Sequence, residues 1–447
     1  MREVPRKASE DQELEPKTIR KIGWRAMPVL FGAYLFSYID RVNVGFAALT
    51  ANKDLGLSHL QFGFGAGLFF VGYCAAQVPS SLMMLRVGAR LWFARILISM
   101  GILATAMMAV VGPKSFYAIR LALGVAEAGL VPGVIYYLRC WLPQSYRANF
   151  IAIFLLAIPL SSFLGSPISG ALLGLDGLLG LRGWQWMYLF EGVPLIIFGL
   201  LVLVALAETP DQATWLTLEE RQWLNKMLAN ESASHTRSPQ EPPWWKLVID
   251  IRVLCYGIAF CGITAGGYGL SFWLPQIVKS FGLSNLLTGF VVAIPFGLGA
   301  LATILWACHS DRRRERLYHT ALPAFVAAAG LGACAAMSSP ILTMVALTVA
   351  AIGIFGIRGP YFALVAEDFA NTTAAPAIAW TDTFAALGGF LGPTIVGWLR
   401  QLTGGFIWPL FALAFLSLLG GVVILSRCLY RQRAIGLAAN PFANSAD

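Results

Sequence analysis

About twelve windows of roughly 20 mostly apolar residues recur along this chain. They are centred within 26–49, 61–84, 91–111, 115–138, 149–173, 185–207, 253–277, 286–307, 319–338, 341–365, 375–399 and 406–427. Each is long enough to cross the hydrocarbon of a bilayer as a helix. Lipid offers no hydrogen bonds, so an open strand there would leave backbone groups unpaired, and helices are what remains. Composition agrees: the chain is only 12% charged, where a soluble domain carries about 25%. The expected fold class is an all-α polytopic membrane protein with twelve transmembrane helices in two six-helix bundles.

The two bundles follow from where the windows pause. The longest hydrophilic interruption is 208–250, which begins charged and ends rich in Ser and Pro. It divides the spans six and six. The expected organisation is a cytoplasmic tail (1–24), an N-terminal bundle (25–207), a cytoplasmic linker (208–250), a C-terminal bundle (251–430) and a second cytoplasmic tail (431–447). Thr217 with Glu219 and Glu220 reads as the start of a short surface helix, and the Pro-rich end reads as a linker. A weak repeat supports the division. "LRVGAR" (85–90) and "DRRRER" (311–316) each form the second loop of a half. Matched halves of this kind place a substrate site between them at mid-membrane.

With an even number of spans both termini share a side. If that side is cytoplasmic, it holds about 24 of the 32 Lys and Arg, against about five outside. This asymmetry sets the orientation and accounts for the net charge of +9 without a nucleic acid. The N-terminal tail has no short apolar core with a cleavage site, so it does not read as a secretory signal. The seven Cys and four His form no metal spacing and no disulfide framework. No loop carries a catalytic constellation, so an enzyme is not expected.

Seven charges remain deep in the spans: Arg41, Arg120 and Arg358, with Asp40, Glu127, Glu191 and Asp382. Each costs at least ~2.5–3.5 kcal/mol at the bilayer centre, so each needs a partner or a watery cavity. Arg41 lies roughly 6 Å outside the middle of span one, and Arg120 roughly 9 Å outside the middle of span four, by helical rise. The two guanidiniums therefore share a depth. Glu127 follows Arg120 by nearly two turns on the same face, and Asp40 points about 100° away from Arg41. One arrangement fits: Arg41 and Arg120 clamp an anion in a central cavity, Glu127 lies below them, and Asp40 looks into the bundle. A planar guanidinium suits a carboxylate, and a carboxylic acid out of water can hold a proton near neutral pH. The other arrangement is a self-satisfied network, with Asp40 on one arginine and Glu127 on the other. Arg358 and Asp382 lie at equal depth on adjacent spans and form a second charge pair, or else Arg358 is free for a second carboxylate.

"SYIDRVNVGFAAL", "RLALGVAEAGLVPGVIYYLRCWLP", "GWQWMYLFEGVP", "YGLSFWLPQIVKSFG" and "LGGFLGPTIVGWL" resemble the major facilitator superfamily. Within it they resemble the anion:cation symporter family, in the branch of tartrate, nicotinate, phthalate and 4-hydroxyphenylacetate permeases. The resemblance runs from about Arg20 to Arg433. It implies rocking alternating access and symport of an organic carboxylate with protons. By that resemblance Arg41, Arg120, Tyr38 and Tyr73 hold the anion, Asp40 and Glu127 couple protons, and Glu191 is a recurrent structural feature.

Two departures stand out. The first loop motif has Leu85 where the family carries an acid, while the second keeps Asp311. In span eleven, "DTFAALGG" places Asp382 and Ala386 where the branch has asparagines. Related sugar-acid carriers use such amides on substrate hydroxyls, so an aromatic or short acid fits better, with Trp380, Phe384, Phe272 and Trp273 nearby in sequence. These aromatics equally suit helix packing. The expected protein is a monomeric importer in the bacterial inner membrane, surrounded by lipid, with an organic acid anion and protons as its partners and no cofactor. An exporter or exchanger of the same fold is the alternative; a polytopic enzyme or sensor is the alternative from another class.

Overall fold

The computed structural model describes residues 4–235, 247, 249–369 and 371–439. The described residues are almost wholly helical, with no strand. Ten helical stretches are long and apolar enough to cross a membrane: His59–Val87, Ala89–Ala109, Pro113–Trp141, Gln144–Leu175, Gly183–Ala205, Ile251–Lys279, Asn285–Arg313, Leu317–Ala336, Pro340–Asp368 and Ile407–Arg427. These are spans two to ten and span twelve. Span one lies in Val4–Asp54 and span eleven is Asn371–Thr403. Both are more polar because they carry Asp40, Arg41 and Asn43, or Asp382.

Span one is the C-terminal part of a longer helix, which begins at Val4 and absorbs most of the expected 1–24 tail. The Pro-rich part of the linker (236–246), residues 1–3 and residues 440–447 lie outside the described residues. The expected surface helix runs Leu218–His235. Thr217 and Glu220 cap it reciprocally, at 3.2 and 2.9 Å. Glu220 also takes Lys21 at 2.7 Å, which fastens this helix to the start of span one.

Loop chemistry sets where the spans begin. Ser58 and Gln61 form a capping box on span two, and Ser284 caps span eight. The two repeated loops solve one problem differently. In the second, Arg316 bridges Asp311 at 2.6 Å and Glu367 at 3.2 Å. In the first, where Leu85 replaces the acid, Glu208 from the end of span six accepts from the N–H groups of Ala89 and Arg90 at 2.6 and 3.0 Å. A carboxylate at the start of span three complements the helix dipole.

Within the bundles, span three packs on span six, span nine on span twelve, and span two on span four. Between them, span two meets span eleven, span five meets span eight, and span one meets span seven. The tightest of these contacts lie in the halves away from the termini. A Cβ on Gly63 would come within 2.3 Å of the Pro393 carbonyl oxygen, and one on Gly397 within 2.5 Å of the His59 carbonyl oxygen. Gly170 against Asn285, Gly289 against Ser166 and Gly45 against Phe272 repeat the pattern. Small residues let backbones approach where lipid gives no hydrophobic drive between helices. Trp273 and Phe272, wholly buried, pack the same end, with Trp273 edge-on to Phe62. On the terminus-bearing side, Val78, Leu82 and Leu85 of span two are exposed.

Candidate functional site

Side chains of spans one, four, seven and ten converge at membrane depth. Arg41 of span one donates to Glu127 of span four. The same carboxylate oxygen accepts from Ser37 at 3.0 Å. Arg41 also reaches the Tyr268 hydroxyl of span seven at 3.4 Å, and the Tyr38 and Tyr268 hydroxyls stand 3.3 Å apart. The Arg41 guanidinium lies 5.1, 5.0 and 5.3 Å from the ring centres of Tyr38, Phe69 and Tyr73. Three aromatic faces hold the cation in place and shield it from water.

Glu127 owes its position to a break in span four. The helix Pro113–Glu127 ends with it, Ala128 turns to an extended ψ of 132°, and Gly129 takes a φ of +92° before Leu130–Trp141 resumes. Only glycine adopts that φ cheaply, and a Cβ there would also meet Ser80 Oγ at 2.4 Å. Ser80 in turn donates to the freed Ala128 carbonyl at 2.5 Å, and Trp92 donates to Ser80 at 3.0 Å. Glu127 therefore sits at the negative pole of a half-helix. A carboxylate there depends on a cation, and Arg41 supplies it. Irregular backbone at membrane depth is tolerated where it is held by protein or lines a cavity.

Arg120 lies behind this pair. It is wholly buried, shares the Phe69 ring at 5.1 Å, and gives one hydrogen bond, to the Ala66 carbonyl at 3.3 Å. Its Nε and Nη1 have no protein partner, and neither does either carboxylate oxygen of Asp40. Among charged neighbours, Asp40 feels Arg120 most strongly. Asp40 thus looks into the bundle. Arg120 does not open on the central cavity beside Arg41, because it is closed in behind Phe69. Glu191 joins the network through Asn43, which donates to it.

Next to the Arg41 cluster, a cavity between spans one, seven and ten is lined by Tyr38, Thr264, Tyr268, Ser271, Ile354 and Arg358, among others. Arg358 is half-buried and begins the segment Arg358–Asp368, directly after a one-residue interruption at Ile357 whose backbone angles stay helical. No ion pair or hydrogen bond joins it to Asp382, although each feels the other's charge. Sequence reading set Arg41 and Arg120 as the clamp with Glu127 below and left Arg358 either paired with Asp382 or free, whereas Arg41 here takes Glu127 and stands over the rings of Tyr38 and Tyr73. That reading overlooked Tyr268, although "YGLSFW" begins with it, and the break at Gly129, signalled by Gly129 and Pro132.

Two six-helix bundles around a charged, membrane-deep cleft define a polytopic carrier scaffold. The sequence profile of the Major Facilitator Superfamily matches residues 30–393. The chain belongs to this superfamily and is a multi-pass membrane transporter. It is 44% identical to an Agrobacterium vitis protein named "Putative tartrate transporter", over 92% of both chains. It is 36% identical to a quinolone resistance transporter of Acinetobacter baumannii, over 94% of this chain and 96% of that one. The transport protein NicT of Pseudomonas putida is 38% identical, over 86% and 88%. In fold it is similar to a D-xylose–proton symporter, with a TM-score of 0.68 at 17% identity, over 90% and 97% of the two chains. These relatives are named as transporters, not as enzymes.

Proposed function

We propose that this transporter imports an organic carboxylate together with protons, across a bacterial inner membrane, with both termini in the cytoplasm. The observation that carries the reading is the Arg41–Glu127 pair inside the cleft. Glu127 occupies the guanidinium that an incoming carboxylate needs. A proton on Glu127 frees Arg41, and a substrate carboxylate takes the place that Glu127 leaves. Proton and anion then favour one another's binding, which is what coupling requires. Tyr38 and Tyr73 frame the bound anion, and Arg120 adds positive charge behind Arg41.

Charge balance in the N-terminal bundle supports this. Asp40, Glu127 and Glu191 face only Arg41 and Arg120, all of them buried. Fully ionised, the group carries an excess carboxylate in a low-dielectric site, so a bound proton is the less costly state. Asp40 is the second candidate for the travelling proton. The positive-inside asymmetry supports the orientation. The names of the relatives support an organic anion.

The test is Glu127→Gln, whose amide mimics the protonated acid. Reconstituted protein should still exchange substrate between the two sides, yet fail to accumulate it under an imposed pH gradient. Undiminished accumulation in step with the gradient would remove Glu127 from the coupling role. Counterflow without a pH gradient separates this importer from an exchanger with the same cavity.

A further inference from the structure

We propose that Arg358 is a second anion-binding group of the central cavity and selects substrates that carry two carboxylates, one held by each bundle. This rests on the carboxylate reading above and deepens it.

The first ground is pairing. Arg41 has Glu127, and Arg120 has the Ala66 carbonyl and the field of Asp40. Among the described residues, Arg358 has no hydrogen bond and no ion pair, although it lies at membrane depth. An intramembrane cation without a fixed partner is expected to face a cavity or a ligand. Arg358 does face one, since it lines the cavity with Tyr38 and Tyr268.

The second ground is placement. Arg41 belongs to the N-terminal bundle and Arg358 to the C-terminal one. Between them stand the Tyr38 and Tyr268 hydroxyls, 3.3 Å apart, with Tyr268 also 3.4 Å from Arg41. A diacid bound across this joint would turn one carboxylate to Arg41 and the other to Arg358. Thr264 and Ser271 of span seven add hydroxyls on the same wall. A monoacid on Arg41 leaves Arg358 unsatisfied. A diacid neutralises both and ties the two bundles to one ligand, the geometry a rocking carrier needs to sense that it is loaded.

The third ground concerns Asp382. Its carboxyl acts on Arg358 at a distance without forming a contact, so it does not occupy the fork. It does set a charge condition, because a dianion beside an ionised Asp382 is repelled. A protonated Asp382 removes that repulsion.

The experiment compares dicarboxylates with their monoamides, which keep length and shape and lose one charge. Thermal stabilisation of the purified full chain is measured at neutral pH with succinate against succinamate, phthalate against phthalamate, and the monocarboxylates benzoate and nicotinate. At least one diacid is expected to bind about tenfold or more tightly than its monoamide. Arg358→Gln should abolish that difference while leaving the monoamide within about threefold. Arg358→Lys should keep part of the preference, and Asp382→Asn should keep all of it. Equal binding of diacid and monoamide by the wild-type chain overturns the proposal without any variant, as does an undiminished preference in Arg358→Gln. If only monocarboxylates bind, the carboxylate reading stands and this inference falls. If no carboxylate of either kind binds, both fall.

Discussion

Arg41 and Glu127 meet across spans one and four, at the point where span four breaks. The pair ties the charge of the cleft to the shape of a helix end. Removing either partner therefore has different consequences. Arg41→Ala removes the guanidinium that Glu127 and an incoming carboxylate both use, so substrate-induced stabilisation should fall by more than about tenfold in apparent affinity. Unchanged affinity in purified Arg41→Ala would dismiss Arg41 as the anion's anchor.

Arg120 should behave otherwise. It is wholly enclosed, and Asp40 faces it with no other cation closer in effect. Arg120→Ala is expected to lower stability by about 3–5 kcal/mol, the usual penalty for stranding a buried charge. Arg120→Ala combined with Asp40→Asn should recover most of that loss. Detergent thermal unfolding reads both, and a double variant no better than the single one would separate the two residues.

The Gly129 turn gives a backbone prediction. Gly129→Ala must accept a φ of +92° and a Cβ 2.4 Å from Ser80 Oγ. Strain of this type amounts to about 1–3 kcal/mol. The variant should unfold at lower temperature and lose uptake, although it alters no charge. Wild-type behaviour would mean that the break is unimportant.

At the far end, Gly63→Ala forces a methyl against the Pro393 carbonyl oxygen and the Gly397 Cα, both backbone. The closed contact between spans two and eleven cannot then form. Spin labels at Lys53 and Leu402, on opposite bundles, should move apart relative to the wild-type chain. An unchanged distance distribution would contradict the packing described.

Glu220 supplies a pH dependence outside the membrane. Burial raises its carboxyl, but the hydrogen bond from Lys21, the Thr217 N–H and the charges of Lys21 and Lys17 outweigh this and hold it below the ordinary range. A depressed carboxylate contributes stability above its unfolded value of about 4.3 and loses it as the pH falls through the folded value. Attachment of Leu218–His235 should therefore weaken on acidification below that range. Glu220→Gln should remove this part of the pH dependence of proteolysis within the helix.

Much of this was legible in the sequence because membranes simplify the problem. Apolar length fixes the spans, and charges within them are too costly to be incidental. Helical rise set Arg41 and Arg120 at one depth with Glu127 below them, but it did not say which arginine Glu127 takes; the fold gives it Arg41. Helical rise also could not show that Arg120 turns behind Phe69, because depth along a helix says nothing of which neighbour closes over a side chain. Adjacent spans and equal depth suggest a pairing of Arg358 with Asp382, or else a free Arg358, and depth alone does not choose between them; no hydrogen bond or ion pair joins the two here, although each feels the other's charge. Glu208 was invisible for another reason: it reaches the first loop motif from some 120 residues away in sequence, a contact that no local pattern encodes.

The glycine seams on the side away from the termini bear on how this carrier is set. Backbone lies against backbone there, and Leu60 N–H to Gln401 is an exposed hydrogen bond across the joint. Parting the seams strands no buried charge, and the main side-chain contact to be unseated is Trp273 on Phe62. The rim thus closes without an ionic latch. With no ion pair among the described residues across the rim, the charge-dependent part of the balance between the two postures passes to the cleft, where a proton or an anion changes the sum.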